Sequence, residues 1–147
     1  MGNAVQKLNL SKSLYTKGLQ CEKALWLKKY NPEVLTPPSL QLQAVFKTGN
    51  EVGALACDLF PGGKEVPFKG TSFKEKISLT QKWLDEGVRT IYEATFSFDD
   101  ILVMVDILHQ NENGSFEIYE VKSSTWNQKK SIDDIYKHIH DVSIQYF

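Results

Sequence analysis

Asp106 interrupts the most apolar run of the chain, Ile101-Leu102-Val103-Met104-Val105-Asp106-Ile107-Leu108. A carboxylate in such surroundings is costly unless it is paired, hydrogen-bonded or metal-bound. Farther on, Glu120-Val121-Lys122 sets Glu120 and Lys122 two residues apart, hence on one face of an extended strand, in line with Phe116 and Ile118. Asp106 and Glu120 stand 14 residues apart across a turn near Asn113-Gly114. Adjacent antiparallel strands lie about 5 Å apart, so both carboxylates can reach one ion. Hard oxygen donors with open positions suit Mg²⁺ or Mn²⁺. Such an ion lowers the pKa of a bound water, polarises a phosphoryl oxygen and offsets the charge that develops in an in-line displacement. Lys122 would orient or help deprotonate the attacking water, or stabilise the pentacovalent transition state. The plainer reading makes Asp106 a strand residue satisfied by backbone donors or a lysine. It makes Glu120 and Lys122 a surface ion pair worth about 0–1 kcal/mol. The apolar residues on the same face argue against full exposure.

The elements around these residues can be read from hydrophobic period and breakers. Leu10 to Tyr30 reads as a helix capped by Ser11 or Ser13 and open to a break near Gly18, and the proline-rich NPEVLTPPS after it as a loop. From Ser39 to Phe60, Leu42, Val45, Phe46, Gly49, Val52, Gly53, Ala56, Leu59 and Phe60 follow helical spacing, and Pro61-Gly62-Gly63 ends the pattern. KEVPF reads as a short extended segment, and Ser72 to Glu86 as a helix stopped by Gly87. From Val88 the period becomes strand-like, with Tyr92, Ala94, Phe96 and Phe98 on one side. Asp99-Asp100 turns the chain into the apolar run, which belongs in the centre of a sheet. Asn111 to Gly114 makes a second turn, SFEIYEVKSS a third strand, and Ser131 to Phe147 a last helix. The expected fold is α/β, a small mixed sheet built on an antiparallel three-strand meander. The Ser39–Phe60 helix and the final helix are expected to pack against it.

The chain's 147 residues, 41% hydrophobic and 24% charged, fit one soluble domain rather than two or a disordered segment. The 17 basic residues against 18 acidic ones exclude a strongly cationic nucleic-acid coat but allow a local basic groove. No apolar run reaches the roughly 18 residues needed to span a bilayer, and the polar start MGNAVQKLNL lacks a signal-peptide core, so the expected location is the cytoplasm. Two cysteines, Cys21 and Cys57, make no disulfide framework.

An Asp on an apolar strand, Glu-x-Lys on the next strand, and a helical N-terminal part together resemble the PD-(D/E)XK nuclease superfamily. The nearer likeness is to its RecB-like branch, which includes CRISPR-associated exonucleases and related bacterial proteins of unassigned role. The resemblance covers residues 10 to 147 and implies a restriction-endonuclease-like core and metal-dependent hydrolysis of DNA. Residues 10–86 would form a helical part, 88–123 the catalytic meander, and 131–147 a helix. It assigns Asp106 and Glu120 as metal ligands, the backbone carbonyl of Val121 as a further ligand, and Lys122 as the catalytic cation. The branch carries Gln-x-x-x-Tyr on the helix after Glu-x-Lys. Gln145 stands at the Gln position, and its Tyr partner would fall past Phe147, so the chain reads as the N-terminal part of a longer domain. The branch also carries a ligand His in a Gly-x-x-x-His pattern on an early helix. Here Gly49-Asn50-Glu51-Val52-Gly53 puts Gly53 in that place, leaving Glu51 or Glu93 as candidates for a third carboxylate. Cys21 resembles the first of four cysteines that hold a 4Fe–4S cluster in many such nucleases. The other three would lie beyond residue 147, so only a full-length protein would hold the cluster. The rival reading is a catalytically inactive nucleic-acid-binding or scaffold module that keeps the nuclease fold.

For the remaining residues the plain readings prevail. Glu51 suits a solvated helix face, Cys21 and Cys57 suit small buried positions, and Trp26 and Trp83 suit helix core positions better than base stacking. His138 and His140, two apart on a helix, point to different faces. Trp126, Lys129, Lys130 and Lys137 would flank a phosphate backbone or form a solvated face.

Overall fold

A computed structural model describes residues 10–124 and 132–146. The chain begins with a two-residue strand, β1 (Leu10–Ser11), which leads directly into α1 (Lys12–Gln20) and α2 (Glu22–Tyr30). The expected single helix is broken at Cys21, which is fully extended, rather than at Gly18. Gly18 serves another purpose: a Cβ there would come within 3.0 Å of Leu25 Cδ2, so glycine lets α1 and α2 approach closely. A 3₁₀ turn at Pro32–Val34 follows, then α3 (Leu40–Cys57), whose first turn is capped by Ser39 Oγ accepting the Leu42 N–H. β2 (Lys64–Glu65) precedes α4 (Phe73–Asp85), which opens on a complete capping box between Ser72 and Glu75.

The sheet holds the core. β3 (Thr90–Phe98) and β4 (Ile101–Gln110) pair antiparallel along their length, joined by Asp99 and Asp100, both in left-handed conformation as a tight hairpin requires. β4 is central, as its apolar run predicts. One of its edges carries β3, with β2 parallel beyond it. The other carries parallel β1 at Ile101–Leu102 and antiparallel β5 (Phe116–Tyr119) at Ile107–Gln110. The meander is therefore complete for two strands and short for the third, because β5 ends before Glu120. α5 (Ile132–Ser143) ends the fold, stopping short of Gln145.

One irregularity organises this sheet. Val105 and Leu108, three residues apart, line the same cleft with Ile118, the β5 partner of Leu108. Likewise Ile91 and Ala94 share one core cluster with Val105 and Leu108. Strict alternation would put each such pair on opposite faces. The register is kept on both sides, Tyr92 against Ile107 and Ala94 against Val105, and only Glu93 and Asp106 drop out of the ladder. Glu93 absorbs the change of face with a left-handed backbone, φ 56°. The expected common side for Tyr92 and Ala94 is thereby corrected. Tyr92 donates its hydroxyl to the Cys57 and Phe60 carbonyls, whereas Ala94 joins the core against α4.

α4 packs on β3, with Leu79, Trp83 and Leu84 against the cluster of Val66, Ile91, Ala94, Val105 and Leu108. Each fully buried aliphatic side chain there contributes about 1.5–3 kcal/mol. Buried Thr80 ties helix to sheet by accepting the Thr95 N–H at 2.9 Å. The expectation that the long helix packs on the sheet is not met. Leu42, Val45 and Phe46 of α3 are 43%, 58% and 54% exposed, and no other element packs extensively on α3 among the described residues. Helical period identifies an apolar stripe but not what covers it. Trp83 is partly buried as expected; Trp26 is exposed beside Tyr30. Trp126, Lys129, Lys130 and the side chain of Lys137 lie outside the described residues.

Candidate active site

The β4–β5 pairing ends with Ile107 opposite Tyr119, and Asp106 and Glu120 are the next residues past that pair on either side. Asp106 Oδ2 accepts the Val121 N–H at 2.7 Å, a side-chain bond that takes over where the backbone ladder stops. Val121 thus enters the site through its N–H. On the other side of Asp106, Glu93 drops out of the β3–β4 ladder with it, between the pairs Tyr92–Ile107 and Ala94–Val105, at the kink. Two acidic residues, Glu93 on β3 and Asp106 on β4, thus leave the ladder together, and a third, Glu120, directly follows β5.

Glu120 is the most tethered of them. Lys12 Nζ donates to both its oxygens, at 2.9 and 2.8 Å, Lys122 Nζ donates to Oε1 at 2.7 Å, and Gln145 Nε2 donates to Oε2 at 2.7 Å. The Glu120 side chain is only 7% exposed, so these bonds form with little competition from water. Burial alone would raise its pKa. The hydrogen bonds from Lys12, Lys122 and Gln145 outweigh that and hold the carboxyl below the usual range.

Its two neighbours move the other way. Burial pushes the Asp106 carboxyl up; the Val121 N–H pulls it down, Glu120 raises it further, and Lys12 and Lys122 lower it. Burial also raises Glu93, reinforced by Asp106 and Glu65 and opposed by Lys12 and Lys76. A row in which one carboxylate is held ionised and two are held toward their protonated forms is an environment that attracts positive charge.

Of the residues expected from sequence, Asp106, Glu120, Lys122 and Gln145 come together around this edge, and Glu93 lies beside them. Gln145 does so from the turn after α5 rather than from within a helix. Glu51 is not brought here: it is 62% exposed on α3 and faces Lys47 at 4.0 Å. Cys21 is exposed between α1 and α2. With two cysteines, these 147 residues do not supply the four thiolate ligands of an iron–sulfur cluster. Sequence reasoning misses Lys12. Its only prior sign is general, that a buried Glu120 needs cationic partners.

Among the described residues, no three His, Cys, Asp or Glu side chains gather closely enough to hold a metal ion. The reason is visible in the bonding: the Glu120 oxygens are turned onto Lys12, Lys122 and Gln145, and Asp106 Oδ2 onto Val121. By type, carboxylate oxygens still suit a hard divalent cation, which would offset the repulsion that adds to burial in raising Asp106 and Glu93. Beside this edge lies an apolar cleft of about 350 Å³, lined by Leu84, Phe96, Val105, Leu108, Phe116 and Ile118 among others. Among the described residues no helix is long and apolar enough to cross a membrane. No family model, curated protein or solved structure matches the chain.

Proposed function

We propose that the chain carries a divalent-metal-dependent nuclease site that hydrolyses DNA phosphodiester bonds, on a restriction-endonuclease-like core of the RecB-like kind. The observation that carries this reading is that Asp106 and Glu120 both follow the last β4–β5 pair, Asp106 bonded to the Val121 N–H and Glu120 to Lys122. It joins the two acidic residues and the lysine of the motif at one point of a mixed sheet.

Asp106 and Glu120 would hold Mg²⁺ or Mn²⁺, with Glu93 near enough to add negative charge. When bound, the cation supplies charge neutralisation at the phosphoryl group and an activated water. The chain's own residues do the rest. The Val121 N–H fixes one Asp106 oxygen and so orients the other. Gln145 holds Glu120 from the side of α5. The Lys122 ammonium, 34% exposed, stands at the border between Glu120 and solvent, where an incoming phosphodiester would meet it. There it stabilises the negative charge that builds on the phosphoryl oxygens.

A second reading is a catalytically inactive nucleic-acid-binding or scaffold module. Two observations favour it: Gly53 stands where the branch has a ligand His, and Glu120 is already neutralised by ammonium groups. Calorimetric titration with Mn²⁺ and cleavage of linear single- and double-stranded DNA separate the two. The nuclease reading expects a metal site and cleavage that both disappear in Asp106→Ala. A folded wild type that binds DNA with the usual salt dependence but neither binds Mn²⁺ nor cleaves would make the module reading correct.

A further inference from the structure

Lys12 follows β1 directly, where β1 leaves the β4 edge at Leu102. β5 occupies the same edge only from Ile107 onward. Residues 103–106 of that edge therefore form a gap, and Lys12 and Glu120 enter it from opposite ends. They meet there in a two-point ion pair at 2.9 and 2.8 Å, with Lys12 22% and Glu120 7% exposed.

A cation gripping Glu120 through its two oxygens needs the volume that this ammonium fills. Glu120 already carries two ammonium groups, Lys122 on one oxygen and Lys12 on both, so a divalent cation could take the two-oxygen grip only by displacing Lys12. We propose that Lys12 is the built-in counter-ion of this site, a positioning residue that holds Glu120 in place until a divalent cation takes it over and displaces the ammonium. The proposal rests on the nuclease reading of Asp106 and Glu120. It adds that metal affinity is set by competition with a residue 108 positions away in the chain.

The test is calorimetric Mn²⁺ titration of wild type, Lys12→Met, Lys12→Gln, Lys12→Arg and Asp106→Ala, with circular dichroism as the check on folding. Met keeps the aliphatic stem and removes the charge. Gln also keeps a donor for Glu120, and so provides a folded variant if Met disturbs packing. The expected result is a Kd for Mn²⁺ lowered about tenfold or more in the uncharged variants. Lys12→Arg, which keeps the charge, should bind no tighter than wild type. Thermal melts should agree, with saturating Mn²⁺ raising the melting temperature more in Lys12→Gln than in wild type. A purely structural ion pair would instead give uncharged variants that are less stable and bind Mn²⁺ no better, which would overturn the proposal. If that happens while Asp106→Ala still abolishes binding, only the counter-ion role of Lys12 fails. If Asp106→Ala keeps wild-type affinity, the nuclease reading fails with it.

Discussion

Asp106 and Val121 are joined side chain to backbone, Oδ2 accepting the N–H at 2.7 Å, at the point where β4 and β5 cease to pair. An asparagine oxygen can accept the same bond without carrying charge. The native Asp106 carboxyl is held above its ordinary value of 3.8, by burial first and by Glu120 as well. The native state therefore binds more protons than the unfolded chain above that pH, and the stability contributed by Asp106 falls as pH rises through the window. Asp106→Asn removes this penalty. Urea denaturation across pH should show the variant more stable than wild type at neutral pH, the difference shrinking as pH falls toward 3.8. A variant less stable at neutral pH would refute this balance. The same substitution should abolish the proposed cleavage, a trade of stability against activity.

Glu120→Gln should do the reverse. Burial acts against the native Glu120 carboxyl, but bonds from Lys12, Lys122 and Gln145 hold it below its ordinary value of 4.5. Its contribution to stability is thus complete above the unfolded value and is lost as pH falls through the native one. Gln leaves two ammonium groups without their shared counter-charge. Both are partly exposed, so solvent screening limits the expected loss to about 1–3 kcal/mol at neutral pH. The loss should diminish on acidification, and equilibrium denaturation of both proteins at several pH values measures it.

What can be read in advance divides by sequence separation. Asp106 and Glu120 lie within one hairpin, so period-two alternation and a turn at Asn113-Gly114 are enough to bring them together. Ser72 and Glu75 are legible as a helix start for the same local reason. Lys12 is not, because its meeting with Glu120 depends on β1, two residues long and too short to show any alternation. The kink at Glu93 is hidden differently, although the residue itself is a candidate from sequence: Tyr92-Glu93-Ala94-Thr95-Phe96 reads as regular strand, and only the tertiary sheet reveals that alternation slips there. The exposure of α3 escapes because a helical apolar stripe does not name its partner.

Lys122→Met separates catalysis from binding. Lys122 touches Glu120 through one oxygen only, at 2.7 Å, and is more exposed than Lys12. Its removal should lower the rate of the proposed DNA cleavage by about 10²–10⁴-fold, the usual size for loss of a positioned proton-transfer or charge-stabilising group. The Kd for Mn²⁺ should change less than it does in Lys12→Met. Single-turnover cleavage at saturating metal, set beside calorimetry, checks both. Equal and parallel loss of metal binding and rate would instead make Lys122 a support for the ligand.

Glu93 is the strained point of the sheet. Its φ of 56° is left-handed, a conformation that costs a non-glycine residue about 1–2 kcal/mol and suits a β-branched residue least. The kink is held by its neighbours: Thr95 Oγ1 donates to the Glu93 carbonyl at 3.0 Å, and the Thr95 N–H donates to Thr80 Oγ1 of α4. In a regular strand, valine is favoured over glycine, by up to about 1 kcal/mol. At this kink the order should invert. Glu93→Gly relieves the backbone and removes a carboxyl that burial and Asp106 already disfavour in its charged form, so it should equal or exceed wild-type stability. Glu93→Val should fall at least about 1 kcal/mol below Glu93→Gly. Urea midpoints of the two variants decide it. If Glu93→Val proves more stable than Glu93→Gly, β3 runs straight through this position, with no slip of face between Tyr92 and Ala94.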